Sequence, residues 1–171
     1  MIKIGDIIVV KNDSRFMSKL IRYFTQSDYS HAGIVIDVIT EDKKKCVSVI
    51  ESGLLDGVHY SLREYDEQKY EFYSHVGLVE TKRQTIKQLA IDELGIGYDF
   101  KGMLYRAWLL ITLRRTSPNK WDDKGKFYCS EFVSDCFGKI GLTFNAKIPI
   151  DNILPSDIAE SKFTREVKWD D

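Results

Sequence analysis

A cysteine in the setting of a nucleophile lies in the segment FYCSEF (127–132), where a polar loop gives way to a predicted helix. In the first turn of a helix, the thiol of Cys129 would meet unpaired N–H groups and the positive end of the helix dipole. Both favour the thiolate, which is the reactive form. The alternative is a packing role, since free cysteines are often small core residues. Packing is our expectation for Cys46, in a predicted strand, and for Cys136, on the apolar face of the helix.

Three histidines are candidates for the base that would take a proton from this thiol. His31 opens the β-branched segment HAGIVI (31–36), where a rigid strand can aim an imidazole ring. His59 and His75 lie in alternating stretches that we expect to be half-exposed, with surface or packing roles. His31 is therefore the candidate base.

A thiol–imidazole pair also needs a group that orients the ring and stabilises its charged form. Glu51 ends the β-rich segment that follows the one containing His31. If the two segments pair as a hairpin, the end of the second lies beside the start of the first, and Glu51 becomes a neighbour of His31. A solvated carboxylate at a strand end is the alternative.

Six short motifs occur in order along nearly the whole chain: GDII (5–8), SHAGIV (30–35), IES (50–52) with a following GV (57–58), GYDF (97–100), YCSEFV (128–133) and PSD (155–157). Together they resemble the YiiX-like branch of the NlpC superfamily, which are circularly permuted papain-like cysteine hydrolases. The resemblance implies one domain, residues 1–171, with a permuted papain-like α+β fold. In that fold the cysteine helix packs against a small, curved antiparallel sheet.

The resemblance also implies roles for the three candidate residues: Cys129 as nucleophile, His31 as base and Glu51 as the third polar group. The implied function is a cysteine hydrolase that cleaves an amide bond, of the peptide or peptidoglycan type, through an acyl-enzyme on Cys129. The implied alternative is a lipid-directed acyl-ester hydrolase or acyltransferase. This chemistry requires neither a metal nor an organic cofactor.

Four further residues flank the predicted centre and are candidates for substrate binding. The backbone N–H of Cys129 is an expected oxyanion donor, and Tyr128 and Ser30 are candidates for a second donor. We expect Tyr98 and Asp99 to shape a substrate wall or to anchor a loop. For each of these side chains, plain packing is the alternative.

Two other classes of protein compete with the hydrolase. A non-catalytic binding module would keep the fold and hold a ligand in the cleft, and a thiol probe that failed to label Cys129 would favour it. A structural zinc protein is disfavoured, because the sequence contains no C-x-x-C or H-x-x-x-H pair.

Composition limits the class of partner. Twenty-five basic and 26 acidic residues give a net charge of −1, which argues against nucleic acid as the main partner, although a local basic patch is compatible with it. The chain has no run of 18 apolar residues and no secretory signal pattern, so we expect a cytoplasmic protein without a transmembrane segment. Peripheral membrane contact stays open, because residues 16–24 and 103–113 are amphipathic or apolar. The expected substrate is a peptide, amide or acyl compound, and the sequence predicts no oligomeric state.

The pattern of elements predicts an α+β fold with an antiparallel sheet, because hairpin-connected strands alternate with helices. Strands are predicted at 7–10, 32–39, 46–50, 57–60, 70–76 and 163–169. Helices are predicted around 17–24 with Ser14 as cap, at 61–64, from Thr81 to about 94, along the cysteine segment to about 140, and from Pro155.

Overall fold

A computed structural model describes residues 1–11, 27–41, 44–114, 116–118, 120–121 and 125–170. The strands in these ranges are β1 (Ile7–Lys11), β2 (Tyr29–Glu41), β3 (Lys44–Gly53), β4 (Gly57–Glu64), β5 (Tyr70–His75) and β6 (Thr164–Val167). The helices are α1 (Glu80–Asp92), α2 (Phe100–Ile111), α3 (Cys129–Gly138), a 3-10 turn (Ile150–Asn152) and α4 (Pro155–Ala159). The predicted helix around 17–24 and its cap Ser14 lie outside the described residues.

The strands form one antiparallel sheet in the order β4-β3-β2-β1-β5-β6. This confirms the predicted α+β class and the hairpin between β2 and β3. In that hairpin Gly33 pairs with Glu51, so the start of β2 lies beside the end of β3. The hairpin thus brings the candidate base strand and the candidate carboxylate together.

Side chains alternate between the two faces of the sheet, and each face carries its own apolar cluster. One cluster packs against the helices, and its buried members include Ala32, Ile34 and Ile50 from the sheet and Phe132 and Phe137 from α3. The other face holds a smaller buried cluster made of Ile2, Ile8, Val35, Val47, Val49 and Phe72. Helix α3 therefore lies directly over the strands that carry the candidate site.

The predicted short helix at 61–64 is wrong, because these residues continue strand β4. The Ser-x-x-Glu pattern of a capping box is overridden here by pairing with β3, in which Ser61 lies opposite Val49 and Arg63 opposite Val47. Helix α1 also begins one residue before the expected Thr81, since Val79 is its N-cap.

Helix α1 is fixed to the sheet by a buried ion pair. Arg83 donates hydrogen bonds of 2.8 Å to a carboxylate oxygen of Asp6 and of 2.9 Å to the hydroxyl of Ser74. Asp6 is fully buried, so this pair compensates a carboxylate that has no contact with solvent. None of the helices in the described ranges is long and apolar enough to cross a lipid bilayer.

Candidate active site

Cys129 is the first residue of helix α3, and Tyr128 is the N-cap. The carboxylate of Glu131 accepts a hydrogen bond of 3.2 Å from the backbone N–H of Tyr128, which fixes the start of the helix. The preceding loop is held to the sheet by Ser52, whose hydroxyl donates a 2.6 Å hydrogen bond to the carbonyl of Phe127. The thiol is thus delivered to the ends of β2 and β3 by contacts on both sides of it.

The Cys129 thiol and the His31 ring are close enough for each to shift the pKa of the other. The Nε2 atom of His31 lies 2.8 Å from the Oε2 atom of Glu51, which leaves Nδ1 for the sulfur. His31 and Glu51 meet at one end of the β2–β3 hairpin, because Glu51 pairs with Gly33, two residues after His31. The structure therefore brings together all three residues that the sequence selected, in the order thiol, imidazole, carboxylate.

The second oxygen of Glu51 is bound from strand β4. Ser61 donates a 2.7 Å hydrogen bond to Oε1, and Arg63 forms an ion pair with the same atom. The Nε2 atom of His59 lies 3.8 Å from it. Only 2% of the Glu51 side chain is exposed, so these donors replace the water that an ionised carboxylate would otherwise need.

The surroundings of the thiol and the imidazole favour their charged forms. Burial by itself raises the pKa of Cys129, but His31 and the backbone N–H groups of Ala32 and Ser130 outweigh burial and lower this pKa. Burial likewise opposes the charge on His31, and the interactions with Cys129 and Glu51 raise the pKa of the ring above its usual value. The pair is therefore disposed to rest as thiolate and imidazolium.

Glu51 is held as a carboxylate in spite of its burial. Burial raises its pKa, but His31, Arg63 and Ser61 together lower this pKa well below the usual range. A carboxylate that stays ionised can stabilise an imidazolium across the whole neutral pH range.

The loop before helix α2 is bound to the segment that precedes the thiol. The Tyr98 and Phe127 backbones form a bridge, and the N–H of Asp99 donates to the carbonyl of Phe127. Burial and the charge on Cys129 raise the pKa of Tyr98, whose hydroxyl therefore stays protonated. Asp99 caps α2 by accepting a 2.8 Å hydrogen bond from the N–H of Gly102.

The hydroxyls of Ser30 and Tyr128 are both close to backbone carbonyls. The phenol of Tyr128 donates a 2.6 Å hydrogen bond to the carbonyl of Asp151. The hydroxyl of Ser30 is 3.5 Å from the carbonyl of Val10. The role of either hydroxyl as an oxyanion donor stays a prediction.

Of the remaining histidines, His59 is half-exposed as expected, whereas His75 is more buried than expected. His75 is buried among aromatic rings, its Nε2 atom is 3.1 Å from the carbonyl of Thr143, and its Nδ1 atom accepts a 3.0 Å hydrogen bond from the N–H of Gly77. His59 lies within reach of Glu51, as described above. The burial of His75 was not predicted because a short aromatic strand does not reveal which of its faces is covered.

Arg63 and Ser61 are the functional neighbours that sequence reasoning missed. The sequence predicts a helix for both residues. Only in a strand do the side chains of residues 61 and 63 lie on the same face, from which both can reach Glu51. The alternation of SLRE (61–64) is the signal that could have found them, because it continues the strand pattern of the preceding residues.

The donor groups around the thiol do not form a metal-ligand set. Both oxygens of Glu51 are already bound by His31, Ser61 and Arg63. Across the part of the chain that the structure describes, no three His, Cys, Asp or Glu side chains converge as metal ligands. An open cavity of about 640 Å³ lies elsewhere, between the N-terminal residues and Arg83 and Trp169.

Comparison with known proteins gives a fold and no family. No protein-family model and no curated protein matches the sequence. The structure is similar to the crystal structure of YiiX from Escherichia coli O157:H7, which is described as a metalloprotein. The TM-score is 0.63 at 23% sequence identity, and the match covers 98% of this chain and 97% of that one. We conclude that the chain has a YiiX-like fold.

Proposed function

We propose that this protein is a cysteine hydrolase that cleaves an amide bond through an acyl-enzyme on Cys129. The observation that carries the proposal is the linear arrangement of Cys129, His31 and Glu51, with the thiol at a helix start and the carboxylate 2.8 Å behind the ring. A charged imidazole beside a thiol at a helix start is the arrangement that nucleophilic cysteine chemistry requires.

In the proposed reaction the thiolate of Cys129 attacks the substrate carbonyl carbon and forms a C–S bond. The carbonyl oxygen becomes an oxyanion, and the backbone N–H of Cys129 is a donor at the start of the helix. The imidazolium of His31 gives its proton to the amide nitrogen, the C–N bond breaks, and an amine leaves. Neutral His31 then takes a proton from water, which attacks the thioester, and the C–S bond breaks to release a carboxylic acid and restore the thiolate–imidazolium pair.

Glu51 and Arg63 are positioning residues in this proposal, since they act through His31. The carboxylate holds the ring with Nδ1 toward the sulfur and stabilises the imidazolium. Arg63 fixes the carboxylate from the other side and keeps it ionised. The third residue is a glutamate here, whereas papain-type enzymes more often use Asn or Asp.

The proposal includes the whole chain as one permuted papain-like domain, residues 1–171. Its support is the chain order, in which the strand of the base precedes the helix of the nucleophile, and the packing of α3 on β2 and β3. The proposal does not include a metal such as the one that the description of the E. coli protein implies. The residues around Cys129 do not fit such a group, because Arg63 and Ser61 occupy the Glu51 oxygen that a metal would need.

The test is to trap the acyl-enzyme. The protein is mixed with a set of peptide amides and a set of acyl esters, quenched in acid, and analysed by intact mass and peptide mapping. We expect an added acyl mass on Cys129 with wild type and none with Cys129→Ala, while a Cys136→Ala control is acylated like wild type. Tight binding of a substrate with neither adduct nor turnover would identify a binding module instead, and acylation by esters alone would identify the ester-directed alternative.

A further inference from the structure

Helix α2 exposes an apolar face. Phe100, Leu104 and Trp108 are each more than 40% exposed, and Ile111 is 64% exposed. At 100° per residue these four side chains fall within an arc of about 80°, so they form one continuous stripe along the helix. A surface helix normally turns its apolar stripe toward the core, and this one carries an apolar stripe on its outer side as well.

A further exposed apolar side chain follows directly after the end of the helix. Leu113 is 92% exposed, and its φ of 56° is a left-handed conformation that a leucine rarely adopts. We call Phe100, Leu104, Trp108, Ile111 and Leu113 the apolar face of α2. Exposed apolar patches of this kind, with a continuous outline, mark interaction surfaces.

Exposed basic residues lie near both ends of this face along the chain. The sequence from 100 to 121 contains five basic residues and no acidic one, although the whole chain has a net charge of −1. Lys101, Arg114 and Lys120 are exposed, and Lys101 lies at the border of the apolar stripe. The combination of an apolar stripe with a tryptophan and a cationic border is the pattern of a segment that lies in the interface of an anionic bilayer.

We propose that the apolar face of α2 binds the surface of an anionic lipid membrane. Phe100, Leu104, Trp108 and Ile111 enter the boundary between headgroups and acyl chains, and the lysine and arginine side chains meet the lipid phosphates. Charge complementarity selects this occupant. An apolar partner protein or a second copy of the chain would not require that the charged residues beside the apolar face all be basic.

The face is close to the candidate site along the backbone. Asp99 caps α2, and its N–H is bound to the carbonyl of Phe127, two residues before Cys129. A membrane bound at this face therefore lies next to the loop that is bound to the segment preceding Cys129. Membrane binding itself does not depend on Cys129, and its test needs no turnover.

The test is co-sedimentation of the full chain with vesicles of pure phosphatidylcholine and of phosphatidylcholine mixed with phosphatidylglycerol. We expect binding to the mixed vesicles that weakens as salt is added, because salt screens the lysine–phosphate attraction. Ile111→Glu should weaken binding by about tenfold or more, since an inserted isoleucine is replaced by a charge of the wrong sign. Leu62→Glu is the matched control, because Leu62 is 65% exposed on β4, and it should bind like wild type.

A second variant tests the cationic border separately. Lys101→Gln combined with Lys120→Gln should weaken binding to the mixed vesicles by about fivefold per lysine and leave the melting temperature unchanged. The proposal is overturned if wild type does not sediment with either vesicle, or if Ile111→Glu and Leu62→Glu bind alike. It is also overturned if wild type is a dimer that fails to bind vesicles and Ile111→Glu makes it a monomer, since a second copy then covers the face.

Discussion

Arg63 and Glu51 form an ion pair on the carboxylate oxygen that is not used by His31. The carboxylate is thus bound from two strands at once, by the imidazole of β2 and the guanidinium of β4. Removing its charge has two separate consequences, one for the imidazole and one for the guanidinium, and paired variants can distinguish them.

Glu51→Gln should lower turnover by at least about tenfold, because the charge that stabilises the imidazolium is lost. The carboxylate raises the pKa of His31, so its removal lowers this pKa, and the alkaline limb of the pH–activity profile moves to lower pH. The same variant should lose about 3 kcal/mol of stability, since Arg63 is left without its partner. Pairing it with Arg63→Met should restore most of the stability and none of the activity. A double variant that regains activity would show that Glu51 has no positioning role.

Gly33→Ala should displace the carboxylate. A Cβ atom built at Gly33 would lie 2.6 Å from the Cγ1 atom of Val49 and 3.1 Å from the Cβ atom of Glu51. We expect the strands to separate locally, the His31–Glu51 hydrogen bond to lengthen, and turnover to fall with a modest loss of stability. Gly95→Ala is the contrasting variant, because nothing lies within 4 Å of its Cβ position and only its left-handed backbone is strained. Equal activity of Gly33→Ala and wild type would contradict the expectation that β2 and β3 lie too close at Gly33 to accept a Cβ atom.

Iodoacetamide should alkylate Cys129 before the other cysteines and below the ordinary thiol pKa of about 8.5. His31 lowers the pKa of Cys129, whereas burial raises the pKa of Cys136. His31→Ala should therefore move the labelling profile of Cys129 to higher pH. Peptide mapping after short exposures gives the order of labelling, and faster modification of Cys46 or Cys136 in the folded protein would show that Cys129 is not activated.

Cys129→Ala and Cys136→Ala should have opposite effects. The first removes the proposed nucleophile at the start of a helix and should abolish turnover while the protein stays folded. The second removes a fully buried sulfur from the helix-facing cluster and should cost about 1–2 kcal/mol of stability with turnover retained. Turnover assays with a denaturation curve beside each variant make the comparison. A folded Cys136→Ala protein without activity would show that Cys129 is the wrong choice of nucleophile.

Stability should fall on mild acidification because of His75. Burial lowers the pKa of this ring, so the unfolded chain binds a proton below about pH 6.5 that the folded chain does not accept. The free energy of unfolding should therefore decrease as the pH falls through that range, and His75→Gln should show a smaller decrease than wild type. Urea denaturation at about pH 7.5 and about pH 5.5 measures the difference. Parallel behaviour of the two proteins would assign the acid sensitivity to other groups.

The sequence predicted the parts of the site that depend on neighbouring strands of one hairpin. His31 and Glu51 belong to segments joined by a short charged tip, so their pairing followed from alternation and from the turn. Arg63 and Ser61 were missed because β4 was predicted only to residue 60, and a capping-box pattern then suggested a helix. The hydroxyls of Ser30 and Tyr128 could not be oriented, because their partners, Val10 and Asp151, are distant in sequence. The sequence showed that residues 103–113 are apolar. It could not show that the apolar face of α2 is exposed, because exposure depends on packing that a single sequence does not specify.

The chain order of the site has a consequence for synthesis. His31 and Glu51 meet through a local hairpin, which can form as soon as β3 has left the ribosome, whereas the cysteine helix is made much later. Until that helix docks, the thiol has no imidazole beside it and keeps the weak reactivity of a free cysteine. A nascent or partly unfolded chain therefore has only an ordinary thiol at position 129, and the activated thiolate appears when the cysteine helix docks on the sheet.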